Sequence, residues 1–208
     1  MALQTPKFYL AGSKRARRSG SLRSIDRKDP QFEQALWLEE PELALLADTA
    51  EQAAELLLQD LSARSAVLAL AESCTAGLVA DILAGFPGAS RVFWGSFVCY
   101  TAKAKIAMLG LDRERLERYG LVSEDTARSM AFEALRKSGA DIAASVTGLA
   151  GPDGDGSAVP VGTVWIAVAR KDGDSIEKQF HFTGSRNAVR LRAAAAVLEE
   201  LLKNSGLA

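Results

Sequence analysis

Ser73 stands where a short uninterrupted apolar run, Ala66 to Ala71, gives way to a segment with helical spacing. A serine at such a boundary has two uses. It can be a nucleophile whose oxyanion is received by free N–H groups of the turn, or Ser73 and Thr75 can cap the helix that follows. A nucleophilic serine needs a base to take its proton. The chain has one histidine, His181, in a segment where Ile176, Phe180 and Phe182 share one face. Alternation puts His181 on the other face with Glu177 and Gln179, toward solvent, so a Ser-His-Asp triad is not expected. The other well-known arrangement is a Ser–Lys pair, in which a partly desolvated lysine loses its charge near neutral pH. Lys103 and Lys105 open the helical segment after the next strand and can reach a neighbouring strand end, although both also fit solvated surface charges. Cys74 is a rival nucleophile by type, but its side chain is expected to pack inward, where thiols are inert.

Ligands of open α/β sheets collect beyond the carboxyl ends of the strands. Three segments qualify: Ala71–Gly77, with Thr75 and Gly77; Thr147–Pro152, with Thr147, Gly148 and Gly151; and Thr183–Arg186. Each contains small or hydroxyl residues that let a ligand approach the backbone. The glycine-rich stretch 147–162 lacks both the Gly-Lys-[Ser/Thr] ending of a phosphate-binding P-loop and a dinucleotide G-x-G-x-x-G. Asp153 and Asp155 resemble the start of a calcium loop, but the acid expected at its end is missing. Arg186, Arg190 and Arg192 cluster where a helix begins, a place the helix dipole disfavours for cations. Either an anionic ligand compensates them or they form a solvated basic edge.

The elements that must carry these residues follow from periodicity. Leu43, Leu46, Ala50, Ala53, Leu57 and Leu61 recur at helical steps from Pro41 onward. The run Ala66–Ala71 predicts a strand buried on both faces, Ser73–Ala84 a helix, and Val92–Tyr100 an aromatic, β-branched strand. Ala102–Leu109 returns to helix and stops at Gly110; Ser123 opens another, running to Lys137 and closed by Gly139. Asp141–Val146 reads as a buried strand. Thr147–Gly162 holds five glycines and two prolines, which predicts a loop. Thr163–Arg170 and Ser175–Phe182 flank the turn Lys171-Asp172-Gly173-Asp174, a hairpin signal, and Arg186–Lys203 forms the last helix. The resulting fold class is a three-layer α/β/α domain with a mixed sheet that includes one antiparallel hairpin. It should occupy residues 41–208, after a tail at 1–40. There is no internal repeat.

Apolar residues make up 48% of the 208-residue chain, ordinary for one globular domain. No segment approaches the roughly 20 apolar residues of a membrane helix. Residues 1–30 carry eight Lys/Arg against Asp26 and Asp29, leaving the remainder of the chain at a net −7. The basic stretch reads as a disordered or loosely attached tail. Its composition also fits an organellar transit peptide, a solvated tail or a start placed too far upstream. Two cysteines without a C-x-x-C suit a reducing, cytoplasmic setting. A single histidine rules out a histidine-rich metal site.

Five segments in unbroken order resemble the CinA C-terminal domain family over about residues 50–203: Glu72-Ser73-Cys74-Thr75-Ala76-Gly77, Tyr100–Lys105, Tyr119-Gly120-Leu121-Val122-Ser123, Thr147–Gly154 and Pro160-Val161-Gly162-Thr163-Val164. That family is associated with competence- and damage-inducible operons and includes nicotinamide-nucleotide amidohydrolases. The resemblance implies that Ser73 attacks the carboxamide of nicotinamide mononucleotide, that Lys105 takes the serine proton, and that Tyr100 helps hold the ring or the base. It further implies that Thr147 with Gly148 and Gly151 lines the nucleotide pocket, that Arg190 meets the phosphate, and that no metal or cofactor is needed. The partner would be a small nucleotide; neither nucleic acid nor a membrane is expected, and a homo-oligomer is left open. It also implies a stand-alone version, without the amino-terminal domain of full-length CinA proteins. The family's usual Gly reads Ala76, its usual Asn reads Ala102, its usual Glu reads Lys103, and a glycine before the strand end reads Ser96. A non-catalytic nucleotide-binding or regulatory relative is the alternative these departures leave.

Overall fold

The computed structural model describes residues 41–205, so the expected basic tail over 1–40 lies outside the described residues. Helix α1 (Pro41–Arg64) leads into strand β1 (Leu68–Glu72), then α2 (Leu78–Ala84) and β2 (Phe93–Val98). A short helix α3 (Ala102–Ala104) continues as a π-helical turn, Lys105–Leu109, followed by α4 (Arg113–Tyr119) and α5 (Glu124–Ser138). Strands β3 (Ile142–Gly148), β4 (Thr163–Arg170) and β5 (Ser175–His181) precede the last helix, α6 (Arg186–Asn204).

The five strands lie in the order β2-β1-β3-β4-β5. Strand β1 pairs in parallel with both β2 and β3, so its whole length is buried. Side chains divide by parity: Leu68 and Leu70 join the core shared with α1 and α6, while Ala69 and Ala71 face α5. That second face is lined by small residues on both partners, Ala143, Ala167 and Ala169 against Ala127, Ala131 and Ala134. Small side chains let the helix lie close on the sheet while still removing apolar area from water. Helices thus cover both faces, as the three-layer reading requires. No described helix is long and apolar enough to cross a membrane.

Three local expectations change. The sheet holds two antiparallel pairs, β3–β4 as well as the β4–β5 hairpin, because loop 149–162 reverses the chain without a crossover helix. Helix α4 was not legible from periodicity; it is seven residues long and starts on an Asp112 cap that accepts from Arg115 N–H at 2.9 Å. The helix expected from Ser73 begins only at Leu78. Ala76 and Gly77 hold φ of 53° and 94°, so Ser73–Gly77 is a tight turn rather than a first helical turn. Ala76 accordingly sits in a left-handed position and not, as its sequence context suggests, inside a helix.

Candidate active site

Beyond the carboxyl ends of β1 and β3 lies a cavity of about 250 Å³. Its walls include Ser73, Tyr100, Lys105, Leu121, Gly148 and Arg186. Strand β1 delivers Ser73, whose N–H donates to Val146 O at 2.9 Å and so fixes the turn to β3. Strand β2 and the turn after it deliver Lys105. Its Nζ lies 2.6 Å from Ser73 Oγ and 3.1 Å from Cys99 O. Lys105 is 1% exposed. Burial drives its pKa from 10.5 down to about 8, partly opposed by the nearby Cys99 and Cys74. Lys103, its companion in the sequence, is exposed, so the perturbation comes from desolvation and not from a neighbouring cation. A charged Lys105 donates to Ser73 Oγ; a neutral one accepts the serine proton.

Cys74 also borders the cavity, but burial pushes its thiol up to about 12, and Cys99 up to about 11. Both stay protonated near neutral pH and are poor nucleophiles.

The remaining expected site residues divide into two groups. Tyr100, Thr147, Gly148 and Gly151 line the cavity. Thr147 spends its hydroxyl on Leu121 O at 2.7 Å, so it offers a wall rather than a free donor. Glycine is required at 148, where a Cβ would fall 2.7 Å from Val164 Cγ2 and 2.8 Å from Thr163 O. Thr75, Gly77 and Arg190, by contrast, build the nucleophile turn. Thr75 Oγ1 and Gly77 N–H both donate to the Glu72 carboxylate, at 2.8 and 3.0 Å. Arg190 Nη2 donates to Thr75 O at 2.9 Å.

Two residues outside the expected set matter. Arg186, the first residue of α6, reaches the cavity wall, donating from Nη1 to Gly151 O at 2.6 Å and from Nη2 to Tyr100 Oη. Its signal was present in the arginine cluster, but spacing does not say which of three arginines turns inward. Glu72 is 1% exposed, and in the sequence it enters only as the first residue of the Glu72–Gly77 family segment, with no role assigned. His181 is exposed on β5, as alternation requires. Asp153 and Asp155 belong to the cavity rim, and no group of three or more metal-ligand side chains occurs among the described residues.

The CinA C-terminal domain family matches residues 50–205. A nicotinamide-nucleotide amidohydrolase PncC of Escherichia coli (strain K12) is 43% identical over 150 residues, covering 72% of this chain and 91% of that one. A CinA-like protein of Syntrophomonas wolfei is 46% identical over 143 residues, 67% of this chain, which spans only 34% of that longer relative. Among solved structures, the competence/damage inducible protein CihA from Agrobacterium tumefaciens superposes with a TM-score of 0.72 at 36% identity, covering 74% of this chain and 94% of that one. A CinA superfamily protein from Escherichia coli gives 0.72 at 36% identity, covering 75% and 90%.

Proposed function

Because the chain belongs to the CinA C-terminal domain family, we propose that it hydrolyses the carboxamide of nicotinamide mononucleotide to nicotinate mononucleotide and ammonia by a Ser–Lys mechanism, as a step of pyridine nucleotide recycling. The observation that carries this reading is the 2.6 Å contact between two buried groups, Lys105 Nζ and Ser73 Oγ. A lysine desolvated this far has a neutral fraction near pH 7 large enough to serve as a base.

Neutral Lys105 takes the hydroxyl proton as Ser73 Oγ bonds to the carboxamide carbon, and the carbonyl oxygen gains the negative charge. The N–H groups of Ser73, Ala76 and Gly77 are engaged by Val146 O, Ser73 O and Glu72. That of Thr75 donates to none of these acceptors and is assigned to the oxyanion, whereas that of Cys74 lies against its own Sγ. Collapse breaks the C–N bond, with Lys105 returning the proton so that ammonia departs. Water then adds to the acyl-serine, losing its proton to Lys105, and Lys105 passes that proton to Ser73 Oγ as the acyl–oxygen bond breaks and nicotinate mononucleotide leaves. Arg186 at the cavity wall is assigned the substrate phosphate, and Arg190 the support of the Thr75 carbonyl. Tyr100, held by Arg186, closes the cavity over the pyridine ring.

The departures Ala102 and Lys103 lie on the half-buried and exposed sides of α3 and leave the Ser73–Lys105 contact intact. The test is ammonia release from nicotinamide mononucleotide by the wild type and Ser73→Ala. Loss of turnover in a folded variant is expected; full activity without the hydroxyl would refute the nucleophile.

A further inference from the structure

The Glu72 carboxylate has an unusual set of neighbours. Oε2 accepts from Thr75 Oγ1 at 2.8 Å, Gly77 N–H at 3.0 Å and Val79 N–H at 3.1 Å. Oε1 accepts from Ala80 N–H and Ser96 Oγ, each at 3.0 Å. All five partners are neutral donors, so the side chain must be an acceptor on both oxygens; an amide would set its own N–H against another N–H. Helix α2 has glycine at its N-cap and therefore no side-chain cap of its own, and Glu72 satisfies its first N–H groups from the preceding strand.

What the carboxylate encloses is the nucleophile turn. Two consecutive residues there are left-handed, and Ala76 at φ 53° carries a Cβ that disfavours this conformation. Such a turn persists only where surrounding contacts over-determine it. The backbone of Glu72 also reaches the base: its carbonyl accepts from Cys99 N–H at 2.7 Å, and Cys99 O accepts from Lys105 Nζ. Ser96, one of this chain's departures from the family pattern, supplies the only side-chain tether from β2 to the carboxylate among the described residues.

We propose that Glu72 is the positioning residue for the nucleophile: its carboxylate pins the strained Ala76–Gly77 turn and thereby aims Ser73 Oγ at Lys105, with Ser96 as its tether to β2. This rests on Ser73 being the nucleophile, so the readout is chosen to be independent of the substrate. A fluorophosphonate probe is attacked at phosphorus by Ser73 Oγ with loss of fluoride, and adduct formation is followed by mass spectrometry. The wild type is expected to label at Ser73. A folded Glu72→Gln should label about 100-fold more slowly, the scale of a nucleophile misplaced by an ångström. With nicotinamide mononucleotide its kcat should fall while KM holds. Ser96→Ala, which keeps four of the five donors, should stay folded and label about threefold to tenfold more slowly. Adding Ala76→Gly to Glu72→Gln should recover about tenfold, because glycine adopts positive φ without strain. A folded Glu72→Gln or Ser96→Ala that labels at the wild-type rate, or a double variant without recovery, overturns the inference. If Glu72→Gln does not fold, Ser96→Ala decides alone. A wild type that fails to label at Ser73 removes the nucleophile and this inference with it.

Discussion

Replacing Lys105 separates its chemical role from its structural cost, and the two should move in opposite directions. At a pKa of 10.5 a lysine is neutral in about one molecule in 3,000 at pH 7, but at about 8 in roughly one in 11. Burial therefore enriches the base form about 300-fold. Because the neutral form is the competent one, kcat/KM should rise with pH through a single ionisation near 8 and level off above it. The same shift destabilises the fold. The unfolded chain binds the extra proton between about pH 8 and 10.5, so wild-type stability should rise through that window and carry the full penalty below it. That penalty is about 3.5 kcal/mol, the fall from 10.5 to about 8 at about 1.4 kcal/mol per tenfold. Lys105→Met removes it while stranding the Cys99 carbonyl, a loss of about 1 kcal/mol. The net gain of about 2.5 kcal/mol should raise the melting temperature by about 5 °C or more in a domain of this size. Activity should meanwhile fall by about 10² to 10⁴. Lys105→Arg should be equally inactive, since guanidinium cannot accept the proton. The assays are ammonia release across about pH 6.5 to 9.5 and thermal melts at pH 7. A flat pH profile, an active Lys105→Arg or a destabilised Lys105→Met would refute the reasoning.

Arg186→Ala should raise KM for nicotinamide mononucleotide about tenfold or more with kcat nearly unchanged, because a phosphate contact is made equally in ground and transition states. Nicotinamide riboside, which lacks the phosphate, should be equally poor for variant and wild type; a selective fall in kcat would count against the anchor. Arg190→Ala should behave in the opposite sense, lowering kcat through the Thr75 carbonyl it supports, and comparison of the two KM values assigns the phosphate. Cys74→Ala should retain most activity and leave iodoacetamide labelling at pH 7.5 unchanged, because the buried thiol ionises only at about 12; loss of turnover with normal folding would reopen Cys74 as the nucleophile.

Much of the scaffold was legible in the residues. The apolar run around Leu68–Ala71 specifies a strand with no solvent face, and the turn Lys171–Asp174 between two alternating segments specifies the β4–β5 hairpin. Ser123 and Gly139 mark both ends of α5, where Ser123 Oγ accepts from Thr126 N–H and Gly139 is left-handed. Exposure of His181, and with it the exclusion of a histidine base, also follows from alternation alone. These features are local: periodicity reports which face of one element is buried, and caps report where it stops.

The site is not local, and only the tertiary structure decided it. Lys105 reaches Ser73 across 32 residues because β2 lies beside β1 in parallel register, and because the π-helical turn after α3 aims Lys105 inward while Lys103 stays in solvent. Among the arginines at the start of α6, Arg186 faces the cavity and Arg190 the nucleophile turn, a choice set by how the helix docks on the sheet. Glu72 appears in the sequence as part of the Glu72–Gly77 family segment, which says nothing of what its carboxylate touches. Its five donors come from the turn, from α2 and from β2, and hydrogen bonds between separate elements depend on sheet order and register that no single periodicity contains.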